Sequence, residues 1–104
     1  MEVVLQLVAE SVEKDRYGVE ALKKTPRTVY ATVESVTRRE FYDAGRNGLN
    51  PSFVFKVFFA DYEGERECLY DGNRYAIYRS YRVPGSDYLE LYVQREGGVN
   101  SGDP

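Results

Sequence analysis

The chain alternates apolar and polar positions over six separate segments, the period-two pattern of strands that bury one face. In the second segment Val29, Ala31 and Val33 share one face, as Leu89 and Leu91 do in the last. The third segment is the most hydrophobic, so it is expected near the centre of the fold. The predicted strands are residues 3–10, 28–34, 53–60, 65–70, 74–82 and 88–95.

Turn residues separate these strands and indicate antiparallel neighbours. Asp71 and Gly72 form the pair favoured in two-residue hairpins, because both central positions of that turn need a positive φ. The charged stretch 13–18 is expected to turn at Gly18, and Pro26 is expected to precede the second strand. Six strands with short turns predict an all-β, mainly antiparallel fold, either a small six-stranded barrel or a sandwich, in one domain over residues 1–96. Residues 97–104 lack periodicity and are predicted to form a disordered tail.

The connection from Arg38 to Ser52 is too long for a turn and is predicted to be a long loop that carries a short helix. Thr37 and Glu40 have the spacing of a capping box, so the helix is expected to begin directly after Thr37. Gly45 or Gly48 is expected to end it by taking a left-handed conformation. Such a connection is either a functional segment or a floppy insertion, and long loops often carry function.

Apolar side chains on this loop have no strand face that would bury them. Phe41, Tyr42 and Leu49 are unusual on such an excursion unless a partner covers them. The loop is therefore the predicted place for assembly contacts. The candidate interface residues are Arg38, Arg39, Phe41, Tyr42, Gly45, Gly48 and Leu49.

Composition restricts the chemistry. The chain has 14 basic and 17 acidic residues and a formal charge of -3, which argues against a protein whose main task is to bind nucleic acid. It has no histidine, the usual acid-base group near neutral pH, and its one cysteine, Cys68, is interpreted as a small buried hydrophobe. No catalytic residue, cofactor or metal is predicted. No long apolar run or leader occurs, so synthesis in the cytosol without membrane contact is expected.

Two groups of residues admit other interpretations. An acidic cluster near a turn offers oxygen ligands for a hard cation, but without calcium-loop spacing it is interpreted as a solvated strand face. The aromatic residues of the later strands are interpreted as core, and the alternative is a base-stacking surface beside a basic groove. The acidic cluster is Asp61, Glu63, Glu65 and Glu67, and the arginines available for such a groove are Arg74, Arg79, Arg82 and Arg95.

Several short motifs follow one another in order between Val3 and Glu96. They are Asp15-Arg16-Tyr17-Gly18, the loop Ala44-Gly45-x-x-Gly48, Asp61-Tyr62-Glu63-Gly64-Glu65, the hairpin Tyr70-x-Gly72-x-x-Tyr75, and Glu90-Leu91-Tyr92. Together they resemble the head-closure, or head-tail joining, proteins of tailed bacteriophages and prophages. The combination of the loop with the hairpin is more specific than either motif alone.

The resemblance implies a small β-barrel without enzymatic activity that assembles as a ring beneath the portal and adaptor proteins. There it would seal the packaged genome, offer a surface to tail proteins, and pass DNA without sequence-specific binding. The expected location is the virion, after synthesis in the host bacterial cytoplasm. The free chain is expected to be a monomer or a weakly associating species, with a rigid barrel and a mobile segment 38–52 that has few partners before docking. The alternatives are a tail-side ring component, such as a tail terminator, and a small nucleic-acid-binding barrel.

Overall fold

The structure, a computed structural model, describes residues 2–96 and shows one closed antiparallel barrel of six strands. The predicted all-β fold is confirmed, and the barrel is the alternative that the chain adopts. The predicted tail, residues 97–104, lies outside the described residues. The elements are β1 (Glu2–Lys14), β2 (Glu20–Glu34), α1 (Arg38–Gly45), β3 (Pro51–Phe58), a 3₁₀ turn (Phe59–Asp61), β4 (Glu67–Tyr70), β5 (Asn73–Arg82) and β6 (Tyr88–Arg95).

The strands follow the order β1-β2-β3-β6-β5-β4, and β4 closes the barrel by pairing with β1. This closing contact is short, since only Gln6, Leu7 and Val8 of β1 face β4. Closure leaves the interior to the apolar face of each strand, as the period-two pattern predicts. The core consists of Leu5, Leu7, Val29, Ala31, Phe55, Val57, Cys68, Tyr75, Leu89, Leu91 and Val93.

The hairpin between β4 and β5 has the predicted turn. Asp71 has φ 52° and Gly72 has φ 79°, so both central positions adopt the left-handed conformation. Tyr70 and Asn73 face each other across the turn. These angles match the type I′ turn, whose twist suits neighbouring antiparallel strands.

The first hairpin differs from its prediction. β1 and β2 remain paired from Glu2 with Thr32 to Lys14 with Glu20, and the ladder runs through Pro26 instead of starting after it. β2 pairs with β3 only from Thr32 onwards, so most of β2 has an open edge, which is where a strand tolerates proline. Residues 9–25, which we call the arm, are exposed throughout. Because both faces of the arm meet solvent, no apolar alternation marks it in the sequence.

Candidate functional site

The segment between β2 and β3 forms a helix with a defined start. The Thr37 side-chain Oγ1 accepts a hydrogen bond of 3.1 Å from the backbone N–H of Glu40. This is half of the predicted capping box, in which the Glu40 carboxylate would bond back to the start of the helix. Here that carboxylate instead accepts hydrogen bonds from Tyr78 Oη at 2.8 Å and from an Arg79 Nη at 2.7 Å. The side chain that would complete the cap therefore anchors the helix to β5.

A bulge in β5 allows two neighbouring side chains to reach this one carboxylate. The register between β5 and β6 shifts between Ile77 and Arg79, so Tyr78 is the extra residue. Successive side chains of a regular strand point to opposite faces, whereas a bulge redirects one of them. Both Tyr78 and Arg79 consequently bond Glu40, whose side chain is 14% exposed.

The helix ends at Gly45, and the left-handed conformation that the glycine pattern predicts is adopted by Gly48 in the turn that follows. Gly48 has φ +78°, while its N–H bonds the carbonyl of Gly45 and the N–H of Leu49 bonds the carbonyl of Ala44. This pair of bonds is a Schellman motif, which commonly brings the residue after the glycine against the last helical turn. Ala44 is buried and Leu49 is partly covered, so Leu49 belongs to the packing of the helix rather than to its exposed surface.

Aromatic and charged side chains of β5 and β6 contact the residues that bond Glu40. The Arg79 guanidinium lies 3.9 Å from the centre of the Tyr92 ring, and the Tyr92 hydroxyl donates a 2.6 Å hydrogen bond to Glu90. Burial and the bond to Glu90 raise the pKa of Tyr92 to about 12. Burial and the Glu40 carboxylate raise the pKa of Tyr78 as well. Both phenols therefore stay neutral near pH 7 and serve as hydrogen-bond donors.

The opposite side of α1 faces solvent and carries basic and aromatic side chains. At 100° per residue, the side of the helix away from Glu40 and Ala44 presents Arg38, Tyr42 and Arg46. Arg39 and Phe41 lie at the margins of this side. Phe41 is 49% and Tyr42 61% exposed, and their rings meet edge to face with centroids 6.1 Å apart. We call this patch the helix surface; its members are Arg38, Arg39, Phe41, Tyr42 and Arg46.

The structure brings four of the predicted residues, Arg38, Arg39, Phe41 and Tyr42, together on the helix surface. The predictions for the other three change: Gly45 is the last residue of α1, Gly48 shapes the turn, and Leu49 lines a cleft of about 610 Å³ beside the helix. Loop 38–52 is shorter than predicted, since β3 begins at Pro51, and Glu40 and Ala44 hold its helix against the barrel. The mobility of this segment before docking stays a prediction. Sequence reasoning missed Tyr78, Arg79 and Tyr92, which lie far along the chain and carry no local signal for this contact.

The acidic cluster also differs from its prediction as a solvated face. Glu65 and Glu67 are buried, and each accepts hydrogen bonds from basic side chains. Arg27 donates to Glu65 at 2.6 Å, whereas Lys24 and Arg74 donate to Glu67 at 2.9 and 2.7 Å. Burial would raise the pKa of each carboxyl, but these hydrogen bonds outweigh it and both pKa values lie below the ordinary range. Neither carboxylate is left free for other chemistry.

Three further observations concern metal ligands, the cysteine thiol and membrane-spanning helices among the described residues. Within residues 2–96 no group of three or more histidine, cysteine, aspartate or glutamate side chains is placed to hold a metal ion. Burial raises the pKa of the Cys68 thiol to about 12, so that thiol stays protonated near pH 7. Over the same residues no helix is both long enough and apolar enough to cross a membrane.

No protein-family model matches the sequence. No curated protein matches it significantly.

Proposed function

We propose that this chain is a structural virion protein of the phage head-tail connector. It docks as a ring beneath the portal and adaptor proteins, closes the DNA-filled head and provides the surface to which the tail attaches. The observation that carries the proposal is the helix surface, on which aromatic and arginine side chains are exposed although the helix beneath them is firmly anchored. Aromatic residues and arginine are enriched at protein interfaces, where they supply most of the binding energy.

Three further features support an assembly role. The motifs that resemble head-closure proteins include the helix end and the hairpin at Gly72, and both adopt defined turns with glycine at positive φ. Both carboxylates that the described residues place in the cleft are paired, since Glu40 is bonded by Tyr78 and Arg79 and Asp43 lies within 4 Å of Arg39 and Arg46. The formal charge of -3 suits a channel through which DNA passes without adhering.

The test replaces the two aromatic anchors of the helix surface in the phage or prophage that encodes the chain. Phe41→Ser with Tyr42→Ser is expected to change the free energy of unfolding by no more than about 0.5 kcal/mol, because both side chains lie on the surface. Loss of two interface anchors weakens binding by roughly 2 kcal/mol or more each. The expected phenotype is DNA-filled heads that leak or fail to join tails, scored by electron microscopy and by titre.

A matched control is Tyr30→Ser, because Tyr30 is 64% exposed and lies on β2, away from α1. This variant is expected to give normal particles. Normal particles and titre from the Phe41 and Tyr42 double variant, with the protein folded, would contradict the assembly role of the helix surface.

The three arginines of the helix surface also favour a second candidate, a small nucleic-acid-binding barrel. Such binding would weaken steeply with salt, because phosphate contacts release counterions. Titration of the purified chain with duplex and single-stranded DNA at two salt concentrations separates the candidates. A connector protein is expected to show no binding at physiological salt.

A further inference from the structure

A second aromatic surface lies at the other end of β3 from α1. Phe58 and Phe59 are 50% and 49% exposed, and the Phe58 ring stacks on Tyr88 with centroids 4.9 Å apart. Asp61 and Asp87 line a shallow cleft of about 370 Å³ beside these rings. We call this patch the end surface; its members are Phe58, Phe59, Asp61, Asp87 and Tyr88.

The end surface carries the opposite charge to the helix surface. Among residues 2–96, no cation lies within 4 Å of the carboxylates of Asp61, Asp87 or neighbouring Glu63. Arg82, the one arginine among the described residues that line the cleft, packs its guanidinium 3.8 Å from the centre of the Phe59 ring. The end surface and its margin therefore have net negative charge even when Arg82 is counted.

The arginines of the helix surface are weakly paired with acidic side chains. Arg39 and Arg46 share one carboxylate, Asp43, at 3.7 and 3.8 Å, and the Arg39 side chain is 92% exposed. Within the described part of the chain, Arg38 has no acidic partner within 4 Å. Two surfaces of opposite charge, each built around exposed aromatic rings, are thus present on one molecule.

We propose that the helix surface of one copy of this chain docks on the end surface of the next copy. β3 separates the two surfaces, since α1 directly precedes its start and contacts it while Phe58 ends it, so one molecule has room for a neighbour at each. A contact between two different surfaces is head to tail, and it produces a ring when the rotation closes. The ring rests on the proposed function, whereas the pairing of surfaces rests on the charges and rings described above.

A second copy explains more of these features than nucleic acid does. The phosphate backbone would satisfy the arginines of the helix surface but would be repelled by Asp61 and Asp87. A second copy of the chain offers aromatic rings that pack against those of the helix surface and carboxylates that pair with its arginines. Like charges placed opposite each other weaken such a contact strongly, so charge reversal is the direct test.

The first experiment traps the contact with engineered cysteines, which is clean because the native Cys68 is fully buried. Arg39→Cys chains are mixed at high concentration with Asp61→Cys chains under mild oxidation. The disulfide-linked heterodimer is expected in at least about tenfold excess over that from a control mixture of Arg39→Cys with Asp71→Cys, because a specific contact holds the two sulfurs together whereas the control relies on random collision. Equal yields from the two mixtures would overturn the proposal.

The second experiment exchanges the charges within the trapped pair. Arg38→Glu in the first chain is expected to reduce the heterodimer yield, and so is Asp87→Arg in the second. Combining the two reversed chains is expected to restore the yield, since the pair is again complementary. A yield that falls further on combination would overturn the proposed pairing.

Circular dichroism of each variant confirms that the barrel is intact. A trapped contact together with normal phage particles from the helix-surface variants would contradict the proposed function and leave the pairing in place. Defective phage particles from these variants, without a trapped contact, would support the proposed function and overturn the proposed pairing. Equal yields from the two mixtures, together with salt-dependent DNA binding that Arg38→Glu weakens, would instead assign the arginines to nucleic acid and overturn the pairing.

Discussion

Two segments leave the barrel, and they are held in opposite ways. The α1 segment exposes aromatic rings, yet its inner side places Ala44 against the barrel and bonds Glu40 to β5. The arm is bonded to the barrel at its base, where Lys24 donates to Glu67 of β4 at 2.9 Å. Its strands are held by their own ladder and by ion pairs at 3.4 to 3.8 Å between exposed side chains, and such pairs each contribute about 0 to 1 kcal/mol. The exposure of apolar side chains therefore does not show which segment is loosely held. The contacts between each segment and the barrel show it.

The boundary between barrel and arm is fixed by a buried ion pair. Arg27 on β2 bonds the Glu65 carboxylate, whose side chain is 3% exposed, and Glu65 also accepts from the N–H of Glu63. The Tyr62 hydroxyl donates to the carbonyl of Glu65. Tyr62 also packs against the core, so this cluster links the core to Arg27, which lies two positions past the arm on β2.

The largest expected effect comes from removing this ion pair. Arg27→Ala leaves a carboxylate buried without its cation, and loss of one partner of a buried pair typically costs 3 to 5 kcal/mol. Because Arg27 is partly exposed, we expect a loss of about 2 to 3 kcal/mol in the free energy of unfolding, measured by urea denaturation. Lys23→Ala, which breaks an exposed ion pair of the arm, is expected to cost no more than about 0.5 kcal/mol.

The pH dependence provides a check on the same pair. The pKa of Glu65 lies below its ordinary value in the folded chain, so the stability it contributes is present above the unfolded pKa and is lost as pH falls through the folded pKa. Wild type is therefore expected to lose stability in acid below about pH 4.3, the unfolded value. Arg27→Ala is expected to show a shallower acid loss. Equal slopes for the two proteins would show that Glu65 does not depend on Arg27.

A pair of glycine substitutions compares the two regions directly. Gly72 in the β4–β5 turn and Gly18 in the arm turn have nearly equal angles, φ +79° and φ +80°, and open space where a side chain would lie. Gly72→Val is expected to cost about 1 to 3 kcal/mol, because a β-branched residue at positive φ strains a turn that the barrel holds in place. Gly18→Val has the same local strain, but the arm relieves it by opening locally.

We therefore expect the urea midpoint to fall for Gly72→Val and to stay near wild type for Gly18→Val. Equal losses in the two variants would mean that the arm unfolds together with the barrel. In that case the arm would be a cooperative part of the fold despite its exposure.

The fold was largely predictable because the barrel strands bury one face. β6 spans the predicted residues, and Leu89, Leu91 and Val93 are buried as the alternation indicates. The turn at Gly72 was predictable because its chemistry is local. The arm was not, since Ser11, Val12 and Lys23 lie in strands with solvent on both faces, and no alternation results.

The site was predictable only in part, for a similar reason. The start of the helix and the exposure of Phe41 and Tyr42 follow from neighbouring residues. The bond from Glu40 to Tyr78 depends on a bulge 38 positions along the chain, which the local sequence does not indicate. The same limit applies to Glu65 and Glu67, whose cations come from other strands.

A moderate effect is expected from weakening the anchor of α1. Glu40→Gln keeps the size of the side chain but removes the charge and places an amide donor against the donors Tyr78 and Arg79. Hydrogen bonds to charged groups contribute about 1.5 to 3 kcal/mol, and the partial exposure of Arg79 reduces this to an expected loss of about 1 to 2 kcal/mol. Amide exchange of residues 41–45 should accelerate while that of Phe55 and Val57 does not. Unchanged exchange in α1 would show that its caps suffice without the anchor.

The smallest expected effect concerns the one apolar pair of the arm. Val12 and Leu22 face each other across the ladder and are 63% and 61% exposed. Replacing both with Ser removes a cross-strand contact of a few tenths of a kcal/mol, and Ser has lower strand propensity than Val. We expect the urea midpoint of the barrel to shift by no more than the equivalent of about 0.5 kcal/mol. Amide exchange of residues 10–14 and 20–24 should accelerate, since opening the arm exposes no core. A large fall in the midpoint would instead show that the arm packs against the barrel in solution, and the contrast with the anchored helix would then be lost.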